Sequence, residues 1–300
     1  MVMYHQPVLL KQSVAGLVWN PSGTYVDLTF GGGGHSREIL ERLSPEGRLL
    51  AFDQDPDAVV NAEGMNVTLI AANFRFLKRY LKLYGVKKVH GILGDLGVSS
   101  HQFDIPDRGF STRFAGPLDM RMDTSASTTA AHILNEYSEQ QLHQLLGMYG
   151  EVRNARTLAQ ALVAERVQNS FETVDDLKRV LSRFAPKGRG SKYYAQVFQA
   201  LRIQVNEELT VLKEMLEQCA DVLLPGGRLV IISYHSLEDR LVKNMMSKGS
   251  LSGEVQQDFY GNVLRPFRPI IKKPVVPSAA EIAENNRARS AKLRIAERLS

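Results

Sequence analysis

A β-branched run that ends in four consecutive glycines and passes straight into a helical pattern leaves a chain few folds to choose from. Val26-Asp27-Leu28-Thr29-Phe30 leads into Gly31-Gly32-Gly33-Gly34-His35, and Ile39, Leu40 and Leu43 follow at helical spacing. Glycine, lacking a Cβ, permits positive φ and close backbone approach, and a helix start leaves N–H groups without internal partners. A second apolar run, Leu49-Leu50-Ala51-Phe52, closes on Asp53. That acid stands about 20 positions beyond Gly33, the offset at which a strand-end carboxylate grips a ribose diol. Tight βα turns need glycine for steric reasons too, so the loop takes its meaning from the acid. Together the two features describe an adenosine pocket.

The dinucleotide fingerprint asks for a third small residue where the helix meets the strand. Counting from Gly32 and Gly34, this chain has Arg37 there. A pyrophosphate-binding oxidoreductase is therefore disfavoured, and a cofactor with an adenosine but no phosphate, of which S-adenosylmethionine is the common one, fits better.

Strand and helix patterns alternate through the first hundred residues. Strands are expected over 25–28, 48–52, 67–71 and 89–93, the last running into Gly94-Asp95-Leu96-Gly97, with helical patterns between them. Such alternation predicts a parallel sheet with right-handed crossovers. An aperiodic stretch, 104–123, is followed by helical segments over 138–148, 154–167 and 173–184. One long amphipathic pattern over 194–223 then ends at Pro225-Gly226-Gly227, a turn signal before a strand over 228–233. The expected organisation is a sheet domain over 1–105, an inserted helical domain for substrate recognition over 106–192, and the rest of the sheet domain with a basic C-terminal tail over 193–300.

At 300 residues, 44% of them hydrophobic, the chain is long enough for a large α/β core and an extra domain. The net charge of +5 leans toward a polyanionic partner. A single cysteine, Cys219, lies among Leu212, Leu216 and Val222 at helical spacing and reads as core; it excludes an internal disulfide and a cysteine-rich zinc site. No metal is expected. Neither a membrane span nor a signal peptide is visible, so a cytoplasmic protein is expected.

Several long motifs resemble one family, the bacterial 16S ribosomal RNA cytosine-N4 methyltransferases (RsmH, formerly MraW). They are His5-Gln6-Pro7-Val8-Leu9-Leu10, the glycine loop through Ser36, the stretch 91–100, Arg108-Gly109-Phe110-Ser111 and Gly116-Pro117-Leu118-Asp119-Met120-Arg121-Met122-Asp123. The stretch 198–209, Pro225-Gly226-Gly227-Arg228-Leu229, Ile231 to Arg240 and Asn286 to Arg294 complete a resemblance that is collinear from end to end. Gly32 and Gly94 stand where the family often carries a larger side chain, and Tyr234 where phenylalanine is more usual.

The resemblance implies a Rossmann-like class I S-adenosylmethionine-dependent methyltransferase domain with an inserted helical domain. It implies methyl transfer to the exocyclic N4 of a decoding-centre (P-site) cytidine of 16S rRNA, within the small (30S) subunit. It further implies that the cofactor is held by Gly33, Gly34, His35, Asp53, Phe74, Asp95 and Gln102. By residue type alone Phe74 reads as core, Gln102 as loop and His35 as a helix cap; the glycines, Asp53 and Asp95 stand out without the family. Whether the protein is a monomer or a homodimer stays open.

Asp95 ends a strand, where open α/β sheets bind ligands, and is the first candidate to accept a hydrogen from an amine. Asp119 and His235 are further catalytic candidates, with Arg121 and Asp123 beside Asp119; a loop ion pair and a satisfied histidine are the plainer readings. Gln199, Arg202 and Asn206 share a helix face. Amino-methyltransferases often place an aromatic after the fourth strand; here Leu96-Gly97-Val98 follows Asp95, and Phe103, Phe110 or Tyr234 must supply any stacking ring. Carbon-5 methylation would need a nucleophilic cysteine, which a core Cys219 does not offer. For RNA contact, the run from Lys178 to Arg202 holds Arg179, Arg183, Lys187, Arg189 and Lys192 without an acid, and Arg265, Arg268, Lys272, Lys273, Arg287, Arg289, Lys292 and Arg294 could extend it. A non-catalytic assembly factor that binds RNA and cofactor is the alternative from another class.

Overall fold

The computed structural model describes residues 7–300, so His5 and Gln6 of the first family motif lie outside the described residues. The chain divides into two units, one formed by residues 1–97 and 209–300 and the other by 98–208.

The first unit is built on a seven-stranded sheet: β1 Thr24–Asp27, β2 Arg48–Asp53, β3 Thr68–Ala71, β4 Val89–Asp95, β5 Leu223–Ser233, β6 Phe267–Pro269 and β7 Lys292–Arg298. Their order is β3-β2-β1-β4-β5-β7-β6. The first five are parallel, and β7 runs antiparallel to both β5 and β6. Residues alternate between two buried clusters: Val26, Leu229 and Ile231 feed one, Tyr25, Val230 and Ile232 the other. A sheet covered on both faces in this way explains why its strands read as near-continuous apolar runs. The chain winds outward from β1 through β2 to β3, then returns to the other side of β1 for β4 and β5. That reversal places a crevice at the carboxyl ends of β1 and β4.

The expected turn at Pro225-Gly226-Gly227 is instead absorbed into β5. Val89 pairs with Leu223 and Gly91 with Arg228, so five steps on β5 oppose two on β4. Gly226, at φ 79, lets the extra residues loop out without breaking the strand. The expected basic tail is also corrected: Lys292–Arg298 is a paired strand inside the sheet, with Leu293 and Ala296 buried.

The second unit is helical, with helices Ser100–Asp104, Ala130–Glu136, Glu139–Met148, Ala155–Arg166, Val174–Ser182 and Gly190–Val205 around their own apolar cluster. It takes in more chain than the expected 106–192, because Gly190–Val205 contributes Val197, Phe198, Leu201 and Val205 to that cluster. The single long amphipathic pattern over 194–223 is therefore two helices. Glu207 adopts φ 50 between Gly190–Val205 and Glu208–Val222, a left-handed residue that ends one helix before the next begins.

Candidate active site

Three carboxylates close three adjacent strands: Asp53 ends β2, Asp27 ends β1 and Asp95 ends β4. Asp27 is fully buried, accepting a 2.7 Å hydrogen bond from the Ser36 hydroxyl and one of 3.1 Å from the Thr29 amide. Thr29 in turn accepts from the Asp95 amide through its hydroxyl at 2.7 Å, tying the end of β4 to the loop after β1. Asp53 accepts from the Gly31 amide at 2.7 Å and the Asp55 amide at 2.8 Å. Each of its oxygens keeps a second lone pair, as two ribose hydroxyls require.

Asp95 accepts from the Tyr234 hydroxyl at 2.7 Å through Oδ1, while its Oδ2 lies 3.8 Å from His35 Nδ1. Its side chain retains 21% exposure. Burial pushes the Asp95 carboxyl up to about 6; His35 and the Tyr234 hydrogen bond pull it down, and Asp27 and Glu238 add to the rise. Burial likewise lifts Asp53 to about 6, against the amides of Asp55 and Gly31. Asp27 is raised by the same cause. His35 is held below its ordinary value, chiefly by burial and against the attraction of Asp95, and so offers no full positive charge near neutral pH. None of the three acids is paired with a lysine or arginine among the described residues.

The glycine loop is open on one side and packed against the protein on the other. At Gly31, φ 49, a Cβ would meet nothing within 4 Å, whereas at Gly34 it would collide with the Pro7 ring. Gly34 is thus demanded by packing and Gly31 faces open space. Gly33, φ 73, precedes helix Gly34–Leu40, whose first-turn amides have no internal partners. The His35 ring is 5% exposed and bonds the Val8 carbonyl at 3.2 Å, so the ring is committed to the protein. Arg37 donates to the Gly32 carbonyl at 2.9 Å, a lateral contact where a dinucleotide loop needs a small residue. Phe74 opens the short 3-10 turn after β3, capped by Asn73, and packs partly buried on the sheet core. His235 precedes helix Ser236–Lys248, with Nε2 3.2 Å from Glu238 Oε1 and its side chain 8% exposed.

The remaining candidates belong to the helical unit. Gln102 is buried and reciprocates a capping box with Ser99, its Oε1 accepting the Ser99 amide at 3.1 Å. Asp119 and Arg121 form a bidentate pair at 2.6 and 2.8 Å across buried Met120, which adopts φ 62. Burial raises the Asp119 carboxyl, but the hydrogen bonds and charge of Arg121 outweigh it and leave a net lowering. Asn206 accepts the Met122 amide at 2.7 Å and donates to the Met120 carbonyl at 2.8 Å. The plainer reading of Asp119 and Arg121, a loop-bracing ion pair, is what their geometry describes. Phe110 is 4% exposed and stacks edge-on with Phe103, so it presents no open ring.

Part of the basic run is also committed. Arg202 makes a bidentate pair with Glu208 at 2.7 and 2.9 Å, and Arg183, Arg179 and Lys178 pair with Glu165, Asp176 and Asp175. Lys187, Arg189 and Lys192 remain exposed around the start of helix Gly190–Val205. Lys292 and Arg294, expected to extend an RNA face, bind Asp239.

Sequence reading missed Asp27, Thr29, Ser36 and the Tyr234 hydroxyl as members of the site. An acid at the end of a β-branched run is a signal for Asp27; nothing local points Tyr234 at a residue 139 positions away.

The sequence matches the MraW methylase family over residues 2–299. The chain belongs to the MraW methylase family. A relative from Cytophaga hutchinsonii, named ribosomal RNA small subunit methyltransferase H, is 62% identical over 299 residues, covering 99% of this chain and 100% of the relative. A protein of the same name from Flavobacterium johnsoniae is 55% identical over 297 residues, covering 99% and 98%. Membership of the MraW methylase family makes methyl transfer the chemistry of this chain. Cys219, fully buried and with its thiol pushed well up by burial, offers no nucleophile for it.

Proposed function

We propose that this chain transfers a methyl group from S-adenosyl-L-methionine to the exocyclic N4 of the decoding-centre (P-site) cytidine of 16S rRNA in the small ribosomal subunit. The observation that carries this reading is the row of Asp53, Asp27 and Asp95 at adjacent strand ends with no lysine or arginine paired to them among the described residues. A pyrophosphate would be repelled there, whereas a cationic sulfonium compound with ribose hydroxyls finds charge and acceptors. When bound, that compound supplies a methyl group on a good leaving group. The names of the two relatives support small-subunit rRNA as the acceptor.

The chain's own part is to bind, orient and accept hydrogen bonds. Asp53 supplies ribose acceptors, the Gly33–His35 backbone supplies amides, and Phe74 supplies an apolar wall. The exocyclic amine of cytosine is a poor nucleophile because its lone pair is delocalised into the ring. A carboxylate that accepts one of its hydrogens helps it become tetrahedral, and Asp95, held by Tyr234 through one oxygen, has the other for that task.

Nucleoside mass spectrometry of rRNA from cells lacking the gene, complemented with wild type or Asp95→Ala, tests the assignment. N4-methylated cytidine is expected to vanish in the deletion and return only with wild type; an unchanged level in the deletion removes the substrate. Calorimetry with S-adenosylmethionine and with NAD tests the cofactor independently.

A further inference from the structure

Between helix Ser236–Lys248 and β6 the chain forms a hairpin arm whose tip exposes two aromatic rings. Phe259 is 97% exposed and Tyr260 86%, with ring centroids 5.7 Å apart and planes at 88°. Apolar rings left in water at this level are unusual unless something covers them.

The turn that carries them is closed by its own hydrogen bonds. Gln257 and Val263 bridge antiparallel, the Leu264 amide donates to the Gln256 carbonyl at 2.8 Å, and Gly261, φ 84, closes the turn by donating to the Asp258 carbonyl. The Asp258 carboxylate accepts the amides of Tyr260 and Asn262 and the Asn262 side chain, all at 2.8–2.9 Å, so its charge is turned inward onto the turn. The base is equally fixed: Arg265 donates to the Ser247 carbonyl at 2.9 Å and Lys248 to the Gly253 carbonyl at 2.9 Å. Both cations bond neutral carbonyls and keep their charge. From Lys243 to Lys273 six residues are basic and two acidic; Arg268 pairs with Glu297 at 2.8 Å, and the five other cations still outnumber the acids, which favours a polyanion over an uncharged partner surface.

We infer that the Phe259–Tyr260 tip is a stacking platform for unpaired nucleobases of an RNA strand, with Lys248 and Arg265 at the base of the arm attracting its phosphates. The inference rests on the rRNA reading and adds to it a contact outside the sheet crevice. Aromatic rings accept any base face, so the platform gives affinity without choosing a sequence, and a rigid turn loses little entropy on binding.

The test is anisotropy titration of the full chain with a fluorescein-labelled oligocytidylate of about ten nucleotides. The Phe259→Ala/Tyr260→Ala pair is expected to weaken binding about tenfold or more, and Phe259→Leu/Tyr260→Leu to weaken it nearly as much, because leucine keeps apolar bulk but has no π face. Phe259→Trp is expected to retain or tighten binding. Wild-type affinity in the leucine pair overturns the inference, as does an unchanged affinity in the alanine pair. A wild-type dimer in sedimentation that the alanine pair dissolves, with RNA affinity intact, assigns the tip to a second copy instead. Calorimetry with S-adenosylmethionine on the same proteins separates the two readings: loss of RNA affinity with cofactor affinity within about twofold supports the platform, while a wild type that binds no cofactor rejects the proposed function and leaves the titration to decide the tip.

Discussion

The acids at the ends of β1, β2 and β4 and the paired acids of the helical unit are treated in opposite ways. Asp27, Asp53 and Asp95 end strands with no lysine or arginine paired to them among the described residues, and burial lifts all three. Asp119, Glu165 and Asp176 face Arg121, Arg183 and Arg179, and all three are lowered. An acid that its own protein neutralises is a brace. A group of acids at a crevice without cationic partners costs the empty protein stability and is what the proposed ligand role calls for.

The largest expected effect is on Asp95. Asp95→Asn keeps the shape and removes the charge, so kcat/KM for methyl transfer to unmethylated small subunits should fall about 10²–10⁴-fold. Its thermal midpoint at neutral pH should hold or rise, because a buried unpaired charge is gone. A loss of both activity and stability would place Asp95 among the braces and break the contrast.

The pH dependence follows from the same shifts. For Asp53 and Asp95, folded values near 6 exceed the unfolded value near 4. Stability they contribute is complete below about 4 and is lost as pH rises through about 6, on the order of 3 kcal/mol for each at most. Affinity for S-adenosylmethionine should run the other way, weakening as pH falls below about 6, because the cation needs ionised carboxylates. Denaturant titrations and calorimetry between pH 4 and 8 read both slopes; parallel slopes would contradict the ligand role. Asp119 has the reverse sign, its contribution present above about 4 and lost as pH falls through its lowered value.

Arg121→Ala leaves Asp119 without its bidentate partner and should cost about 1–3 kcal/mol by urea unfolding. An activity loss larger than the stability loss explains would move this pair from the brace to the site. Replacing exposed Lys187, Arg189 and Lys192 by glutamine should reduce the salt dependence of RNA binding, by about 0.7 in log–log slope for each phosphate no longer neutralised. The smallest effect belongs to Tyr234→Phe. Removing one hydrogen bond to Asp95 is worth about 1 kcal/mol, seen as a roughly fivefold change in kcat/KM and an acid limb moved to higher pH.

The difference between the units also explains what could be read in advance. The sheet unit writes itself locally: strand, glycine turn, helix, strand-end acid, so β1 to β4 and the positions of Asp53 and Asp95 were legible. Pairings between distant segments were not. The run from Lys178 to Arg202 contains no acid in sequence, yet Asp175, Asp176, Glu165 and Glu208 neutralise most of it in space. Lys292-Leu293-Arg294-Ile295 looked like a charged tail because its cations hide a period of two. Their partner, Asp239, is more than fifty positions away.

β7 carries a consequence for how the sheet unit is made on the ribosome. It lies between β5 and β6, yet it is the last of the seven strands to be synthesised. Until residues 292–298 emerge, β5 presents a bare row of amides and carbonyls from Arg228 to Ser233, an open seam to which a neighbouring nascent chain can adhere.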